Sequence, residues 1–407
     1  MKKNSLAARF FDYLVISVLL LSFVRIDYLY EKLQMTKILG NISMGGLALV
    51  IIFVIGTSII KKNLPFDLLC IILFFGYLFL ATILFRSRNI ELFFRTYASP
   101  LGLCLLAWYC FVNGKIKIFL NAFIIFEVMI YLNFLTTLIY PSGMYTSLLY
   151  SANWLLGYKN PQIRLMIPVL GISVIRGFEK DSKISLSSFV LFFVSLLTML
   201  RVNSTTGILG IFLFGILVFV FFLLKNTRPK WLTLLNISIV FLIINIGIIF
   251  LNIQTWFTSF LESFGKNAEL SGRTRIWDAS VAEIPKKLVF GHGFIYSSEY
   301  IAMFHMPAGA HPHNYLLYIL MQGGLVLFGI LAIWLVFCSR RLQQYECISG
   351  TVILLVLITL FFIGLNESLT GNNFLYMFLV MGTRVNDFSP ETAMERRLHN
   401  WKLRVKV

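Results

Sequence analysis

Two histidines separated by one proline stand at the start of a long apolar stretch. His311 and His313 flank Pro312 in the segment GAHPHNYLLYILMQGG, and four of the chain's five histidines lie between His292 and His313. A neutral imidazole can take a proton from a hydroxyl group, and the free N–H groups of a helix start favour an anion. The segment therefore predicts acid–base chemistry beside a bound anion, with His313 in the first turn of a helix. The alternative is that both histidines are solvated loop residues that only cap the helix.

Two arginines precede the histidines and are candidates for binding the anion. The segment SGRTRIWDASVAEIPKKLVFGHGF carries Arg273 and Arg275 on a helix expected over residues 272–284, capped by Ser271 and ended by Pro285. The guanidinium fork matches the oxygens of phosphate, so both side chains are expected to bind a diphosphate. The alternative is a helix that rests on the membrane surface, where its arginines contact lipid headgroups.

A short glycine-flanked turn lies between these two segments. In FGHGF, Gly291 and Gly293 permit a tight turn around His292. The pattern favours a structural turn over a catalytic role for this histidine.

The composition indicates what kind of chain must position these residues. Hydrophobic residues make up 58% of the 407 and charged residues 13%, which predicts an all-α polytopic membrane protein. A net charge of +17 would suggest nucleic acid as the partner of a soluble protein, but in a membrane protein basic residues mark cytoplasmic loops. We therefore expect a lipid bilayer and no nucleic acid as partner. The five cysteines form no disulfide framework and no metal spacing, so we expect no metal and no cofactor.

Apolar stretches long enough to approach or reach the membrane thickness recur along the chain. They predict about twelve transmembrane helices. The predicted spans are 12–30, 38–60, 64–85, 92–112, 116–140, 162–178, 184–202, 206–225, 231–251, 313–338, 350–365 and 371–385.

The distribution of basic residues predicts that both termini are cytoplasmic. The apolar N-terminal run lacks a cleavage site and is interpreted as a retained first span. Several arginines nevertheless fall on the outer side or in the outer halves of spans: Arg25, Arg86, Arg88, Arg95, Arg164, Arg201, Arg273 and Arg275. Of these, Arg95, Arg164 and Arg201 are expected to join Arg273 and Arg275 in one basic pocket for the diphosphate.

Four regions follow from this pattern. Residues 1–251 hold the first nine spans, 252–312 form a large extracytoplasmic catalytic loop with an interfacial helix, 313–385 hold the last three spans, and 386–407 form a basic cytoplasmic tail. The outer loop 141–161 is also long, and long loops are commonly functional.

Charged residues inside apolar stretches are expected to pair with each other or to line a cavity. They are Asp27, Asp67, Arg95, Glu127, Arg164, Arg201 and Glu367. Aromatic and amide side chains on the outer side are expected to contact sugars. They are Trp277, Tyr296 and Asn314 in the first place, and Trp154, Trp256 and Tyr300 in addition.

The combined pattern resembles the O-antigen polymerase and ligase family. The similarity lies in SGRTRIWDASVAEIPKKLVFGHGF followed by HPHNYLLYILMQGG, and more weakly in WLLGYKN (154–160) and NSTTGILG (203–210). His313-Asn314, nine residues and then Gly324 fit the spacing of the ligases, whereas Leu327 stands where that pattern has a glycine. The residues 200–330 carry the specific part of the resemblance.

The resemblance implies a glycosyltransferase of the bacterial cytoplasmic (inner) membrane, with its active site on the extracytoplasmic face. The donor would be an oligosaccharide on undecaprenyl diphosphate, and the reaction would need no metal. His313, with His311 as the substitute, would be the base, and the arginines would stabilise the departing diphosphate. A chain-length regulator is a further candidate partner.

Three functions compete on this basis. The first is a polymerase for capsule, O-antigen or exopolysaccharide, which adds the growing glycan to the next lipid-linked repeat unit. The second is a ligase that transfers the finished glycan to another acceptor. The third is a flippase or other transporter of lipid-linked glycans, which would place polar residues along several spans rather than in the outer loops.

Overall fold

The fold is described from a computed structural model, which covers residues 6–62, 64–147, 150–251, 253, 273–306, 311–369 and 374–388. Within these ranges the chain is helical and forms no strand, apart from isolated bridges in the loop that follows α6. The helices are α1 Leu6–Phe23, α2 Thr36–Lys61, α3 Phe66–Arg86, α4 Ile90–Val112, α5 Ile116–Ala122, α6 Ile124–Ile139, α7 Ile163–Asp181, α8 Leu186–Arg201, α9 Thr205–Leu223, α10 Leu234–Phe250, α11 Arg273–Glu283, α12 Ser297–Phe304, α13 Tyr315–Gln344, α14 Ile348–Gly364 and α15 Leu375–Thr383.

Six helical stretches of the described chain are long and apolar enough to cross a membrane. They are Leu6–Phe23, Thr36–Lys61, Phe66–Val112 (which comprises α3 and α4), Ile116–Ile139, Thr205–Leu223 and Tyr315–Gln344. Helices α8, α10 and α14 are apolar but shorter. Large apolar side chains such as Ile52 and Phe193 point outward and are more than half exposed, as expected for surfaces that face lipid.

The innermost helices are α14 and α15. Every residue of α15 is buried, and α14 packs against α7, α9, α10 and α15 with only Ile348, Ile358 and Phe362 partly exposed to their surroundings. A helix that is apolar on all sides is covered by neighbouring helices or by lipid, and here neighbouring helices cover it. These two helices therefore form the centre around which the remaining helices pack.

Helix α13 is interrupted at Gly324, and the loop after α11 fills the interruption. Gly324 has φ +59° and ψ −157°, which is close to a backbone region that only glycine occupies readily. The N–H groups of Leu325 and Val326 donate to the carbonyls of Leu288 and Val289 at 2.9 and 3.1 Å. The loop thus supplies the hydrogen bonds that the broken helix has lost.

The same loop pairs with α13 on the other side of the break. His292 and Gly293 donate their N–H groups to the carbonyls of Met321 and Gln322, each at 2.9 Å. At Gly291, with φ +72°, a Cβ would lie 2.4 Å from the Gln322 oxygen. The predicted turn is therefore present, and its glycines are required because two backbones approach each other closely.

Polar contacts fasten this loop to the ends of α3 and α4. Arg86 donates to Glu299 at 2.6 Å and to the carbonyl of His292 at 3.2 Å. Asn89 donates to the other oxygen of Glu299 at 2.5 Å and to the carbonyl of Phe294 at 3.0 Å. The side of the bundle where α3 ends is thereby also the side where the histidine segment lies.

The acidic residues of the apolar stretches are paired with arginine. The pairs are Arg25–Asp27 at 2.6 Å, Arg384–Asp67 at 2.5 Å, Arg176–Glu127 at 2.8 Å and Arg273–Glu367 at 3.2 Å. This agrees with the expectation that charges in such places pair with each other.

Candidate active site

The two histidines lie just before α13 and are stacked on each other. The ring centroids of His311 and His313 are 3.6 Å apart, with 27° between the planes. His313 has φ +46°, a left-handed conformation that is uncommon outside glycine, asparagine and aspartate. A backbone held in such a conformation is frequently found at functional sites.

The helix begins later than the sequence pattern suggested. The N-cap is Asn314, whose side chain accepts from the Leu317 N–H at 3.0 Å, so α13 starts at Tyr315. The prediction that His313 lies in the first turn is therefore wrong by two residues. The reason is that asparagine is among the residues most favoured at the N-cap. The helix is therefore capped by Asn314 and does not begin directly after Pro312.

Hydrogen bonds define the state of the His311 ring. Its Nδ1 lies 3.3 Å from the Ser368 hydroxyl and 3.4 Å from the His313 backbone N–H. A backbone N–H can only donate, so Nδ1 acts as an acceptor and the ring proton of the neutral form is on Nε2. Because this lone pair is engaged within the protein, His313 is the better candidate for accepting a proton from a substrate.

The surroundings of His311 favour its neutral form. Burial is the first cause and its neighbour His313 the second in lowering the pKa of His311 well below the ordinary value of 6.5. The carboxylate of Glu367 opposes this shift, whereas the cations Arg164 and Arg273 add to it. His311 therefore remains without charge beside two guanidinium groups.

An ion pair joins α11 to the segment after α14. The Arg273 Nη2 lies 3.2 Å from Glu367 Oε1, and the two side chains are only 16% and 7% exposed. The adjacent Ser368 is the residue that contacts His311. The adjacent residues Glu367 and Ser368 thus contact Arg273 and His311, both of which are far from them in sequence.

Two buried side chains position the histidine segment. Trp277 of α11 is 1% exposed and donates its indole N–H to the carbonyl of Pro312 at 2.9 Å. Asn314 is fully buried and donates to Asn245 at 2.6 Å and to the carbonyl of Leu365 at 3.0 Å. Both residues were expected to contact sugars, but their polar groups are occupied by the protein, so they support the site instead.

The position of Trp277 also changes the interpretation of α11. Rather than resting on lipid, the tryptophan packs into a buried cluster with Tyr300 of α12 and Leu317 of α13. The helix occupies residues 273–283, close to the expected range; Ser271 lies outside the described residues. A helix that packs in this way fixes where Arg273 points.

The loop 141–161 contributes two stacked aromatic rings. Tyr150 and Tyr158 have centroids 3.7 Å apart and nearly parallel planes. Burial raises the pKa of both phenols, and the charge of Glu367 raises it further. Because Arg164 and Arg273 also act on these rings, the tyrosine pair lies beside the same charged groups.

The two shorter segments that carry the family resemblance meet each other. Ser204, which caps α9, donates to the side chain of Asn160 at 3.1 Å. This contact joins NSTTGILG to WLLGYKN at the end of the bundle that holds the histidines.

The remaining predicted arginines have no contact with the histidine pair among the described residues. Arg275 is exposed on α11, and Arg201 is exposed and donates to the Thr137 carbonyl at 3.1 and 3.3 Å. Arg95 is bound to Glu91. Of the five arginines predicted for one pocket, Arg273 and Arg164 are the two that act on the pKa of His311.

The other predicted sugar contacts are divided between surface and interior. Tyr296 is 43% exposed, and its backbone N–H donates to Glu299. Trp154 and Tyr300 are buried, and Trp256 lies outside the described residues. Of this group, only Tyr296 presents a substantial aromatic surface within the described part of the chain.

Sequence reasoning missed Ser368, Tyr150 and Tyr158 as parts of this cluster. Glu367 was recognised as a charge within an apolar stretch but was not connected with Arg273. A charged residue beside a serine at the end of an apolar span is the signal that would have pointed to this segment.

The cluster has the parts that acyl or glycosyl transfer to a hydroxyl group requires. It combines a stacked pair of imidazoles, two guanidinium groups and one carboxylate, so its fixed charges leave one net positive charge for an anion. The charged groups are partly shielded from solvent, which strengthens their effect on a bound ligand.

The fold and site define an integral membrane protein. Its candidate catalytic centre lies immediately before the first residue of the interrupted helix α13. Residues 190–332 match a family model described as O-antigen ligase. The match confirms the resemblance of this part of the chain to the O-antigen polymerase and ligase family. It includes Arg273, His311, His313 and Gly324, whereas Arg164 and Glu367 lie outside it. Searches of curated proteins and of solved structures gave no match.

Proposed function

We propose that this protein is a polysaccharide polymerase that transfers a growing glycan from undecaprenyl diphosphate onto the next lipid-linked repeat unit. The observation that carries the proposal is the convergence of His311, His313 and Arg273 where α13 begins. A base beside a cation is what a glycosyl transfer with a diphosphate leaving group needs.

In the proposed reaction, a hydroxyl oxygen of the acceptor sugar attacks the anomeric carbon of the donor glycan. The bond from that carbon to the diphosphate oxygen breaks, and the diphosphate leaves with the electron pair. His313 takes the hydroxyl proton, while Arg273 and Arg164 stabilise the charge that develops on the diphosphate. The stacked tyrosines Tyr150 and Tyr158 are partly exposed and are suited to contact sugars beside the site.

The proposal includes the arrangement in the membrane. Twelve spans with both termini in the cytoplasm would put the histidine segment on the extracytoplasmic face of the cytoplasmic membrane, where lipid-linked glycans are used. The contacts of Arg86 and Asn89 with His292, Phe294 and Glu299 support a common side for this segment and the outer ends of α3 and α4.

A ligase that uses a different acceptor is the second candidate function. The description of the matched family model favours it, as does the spacing from His313 to Gly324. Leu327, which is fully buried beside Gly323, stands where the ligase pattern has a glycine. A transporter is the third candidate; the charged and imidazole groups at the end of the bundle favour chemistry there instead.

The test uses purified protein in liposomes with a lipid-diphosphate-linked repeat unit as both donor and acceptor. A polymerase forms a ladder of glycans, a ligase forms products only after a different acceptor is added, and a transporter moves substrate without forming glycosidic bonds. His313→Asn should reduce the rate by about 10²–10⁴-fold, the usual contribution of a general base. Asparagine is the suitable replacement because it tolerates the left-handed backbone of this position.

The matched variants Arg273→Gln and Arg275→Gln test whether Arg273 is a cation that stabilises the departing diphosphate. Loss of Arg273 should slow transfer by roughly 10²–10³-fold, as expected when one group that stabilises a developing anion is removed. Arg275 is exposed two residues away on the same helix, and its loss should change the rate little. Equal effects of both variants, or full activity of His313→Asn, would overturn this assignment.

A further inference from the structure

The segment between α11 and α12 reaches deep along the membrane helices. Its tip residue Phe290 accepts a hydrogen bond at its carbonyl from the hydroxyl of Tyr77 on α3, at 3.0 Å. Tyr77 precedes the last residue of α3 by nine positions, and Gly324, where the segment fills the break, follows the first residue of α13 by nine. At a rise of about 1.5 Å per residue, nine positions place the tip roughly 13 Å from the ends of both helices on the histidine side. This depth is close to half of a hydrocarbon core about 30 Å thick.

The surface of α3 is apolar and exposed on both sides of this depth. Leu73, Tyr77, Leu80 and Leu84 recur at helical spacing and share one face of the helix. The three leucines are exposed, and they belong to a helical stretch that is long and apolar enough to cross a membrane. Because Leu80 and Leu84 lie nearer to the end of α3 than Tyr77 does, the tip lies within the depth of the lipid-facing surface and not above it.

The backbone carbonyls at the tip are all hydrogen-bonded within the protein. The carbonyls of residues 287–290 accept, in chain order, from the N–H groups of Gly291, Leu325 and Val326 and from the hydroxyl of Tyr77. Irregular backbone at membrane depth is tolerated only where the protein or a water-filled cavity supplies such partners. The tip therefore meets the condition that the interior of a bilayer sets for a segment that is not a helix.

The side chains of the tip point away from the protein. Leu288, Val289 and Phe290 are exposed, whereas residues 291–295, which follow them, are buried. Adjacent exposed apolar side chains of this kind mark a surface that contacts a membrane or another protein. At this depth, beside the exposed face of α3, the acyl chains of phospholipids are the surroundings that fit them.

The positive charge that precedes the tip is directed toward the end of α3. The Lys287 ammonium lies over the ring of Phe85, 3.9 Å from its centroid. Phe85 is next to the last residue of α3, and it lies about 12 Å beyond Tyr77 toward that end. Lys286 extends to Glu283, the last residue of α11, at 2.6 Å. Long lysine side chains at a membrane surface extend in this way and keep their charge in water while their stems lie deeper.

From this geometry we infer that residues 284–293 form a re-entrant membrane segment, whose apolar tip lies among the acyl chains of phospholipids. The segment enters and leaves the bilayer on the histidine side, so the large loop expected over residues 252–312 is not wholly outside the membrane. Because α11 leads directly into the segment, the inserted tip holds the helix of Arg273 at a fixed depth relative to the lipid headgroups. The inference does not rest on the proposed glycosyl transfer.

The test measures the depth of the tip by electron paramagnetic resonance of a nitroxide label. The label is attached at Val289→Cys in the full-length protein in phospholipid nanodiscs. The background carries Cys347→Ser, because the other four cysteines are buried. Collisions of the label with oxygen, which concentrates in lipid, are compared with collisions with a polar nickel chelate, which stays in water. The same label provides a depth scale at Leu73→Cys, Leu80→Cys, Leu84→Cys and Arg88→Cys, on α3 and just beyond its end.

The expected result is that the Val289 label is accessible to oxygen and falls between the Leu73 and Leu80 labels on this scale. A depth like that of the Arg88 label would place the tip at the membrane surface and overturn the inference. Low accessibility to both reagents would show that protein, such as a second copy of the chain, covers the tip, and would also overturn it. Phe290→Cys, at a second exposed position of the tip, repeats the measurement.

Two substitutions at one position test the contact with lipid without a label. Val289→Asp puts a charge among acyl chains and should lower the Tm in nanodiscs, whereas Val289→Thr, which has a similar shape and no charge, should change it much less. Equal Tm values for the two variants would contradict insertion of the tip. A protein that shows the expected depth but forms no glycosidic bond would keep the re-entrant segment and refute the polymerase.

Discussion

The chemistry proposed for this protein depends on two stacked imidazole rings, of which His311 is held neutral. His311 is stacked on His313, accepts hydrogen bonds at Nδ1, and lies near two arginines and one glutamate. A proton on His311 would place a cation against the ring that must accept a proton from substrate. The low pKa of His311 therefore protects the function of its neighbour.

The pH dependence of transfer should reflect this low pKa. Because the folded protein holds the His311 pKa well below 6.5, protonation of His311 should lower kcat only at a pH well below 6.5. Glu367→Gln removes the charge that raises this pKa and should move the acidic limb to lower pH; Arg164→Gln should move it to higher pH. The measurement is kcat against pH in liposomes for the three proteins.

The same shift has a defined sign for stability. Below pH 6.5 the unfolded chain binds a proton at His311 that the folded protein does not, so the free energy of unfolding should decrease as the pH falls toward the folded pKa.

The kcat measurement can contradict this assignment. If the acidic limb of kcat lies at pH 6.5 in the parent protein and is unmoved in both variants, His311 is not kept neutral by a low pKa.

Among the helices, α13 is the one whose irregularity positions the site. Its first part carries the cap Asn314 and ends at the break at Gly324, and the loop 288–293 occupies that break. The loop is in turn bound to α3 through Arg86. The break thus ties the extramembrane segments to the helices, and the position of the histidines depends on it.

Replacing the glycine at the break should therefore destabilise the protein strongly. In Gly324→Ala the Cβ would lie 2.5 Å from the carbonyl oxygens of Leu288 and Val289, and the backbone conformation alone costs about 1–3 kcal/mol for a residue other than glycine. Gly329→Ala on the same helix is the control, because nothing lies within 4 Å and alanine favours a helix by up to about 1 kcal/mol. Thermal unfolding in one detergent compares them, and equal Tm values would refute the role of the break.

At the level of the complete protein, the arrangement of helices places the chemistry at one end of the bundle. The loop 141–161, α11, the histidine segment and residues 365–369 meet there. The buried pair Arg384–Asp67 connects α3 with the end of α15 at the opposite end. An asymmetric distribution of this kind is expected of an enzyme that acts on one face of a membrane.

Cysteine labelling in intact cells tests the orientation. In a Cys347→Ser background, which retains a side-chain cap for α14, an Arg88→Cys variant should react with a membrane-impermeant maleimide. Lys183→Cys, at the opposite ends of the helices, should react only after the cells are opened. Both positions are exposed, and the other four cysteines are buried. The reverse pattern would refute the proposed orientation.

Local composition and periodicity were sufficient to predict the class of helical membrane protein, the helix that carries Arg273 and the turn around His292. Each of these depends on neighbours in sequence, because hydrophobic runs, caps and glycine turns act over a few residues. The N-cap at Asn314 is also local, but the competing Pro312 led the prediction to an earlier start of the helix.

Only the tertiary structure decided which charged and aromatic residues share the site. Glu367 and Ser368 reach Arg273 and His311 from a different span, and Trp277 and Asn314 proved to be buried supports rather than sugar contacts. Five outer arginines are indistinguishable in sequence, yet Arg95 is paired with the exposed Glu91, whereas Arg273 is paired with the buried Glu367 and acts on His311. The reason is physical: a pattern along one helix determines which face is apolar, whereas the residues that meet across helices depend on how those faces pack.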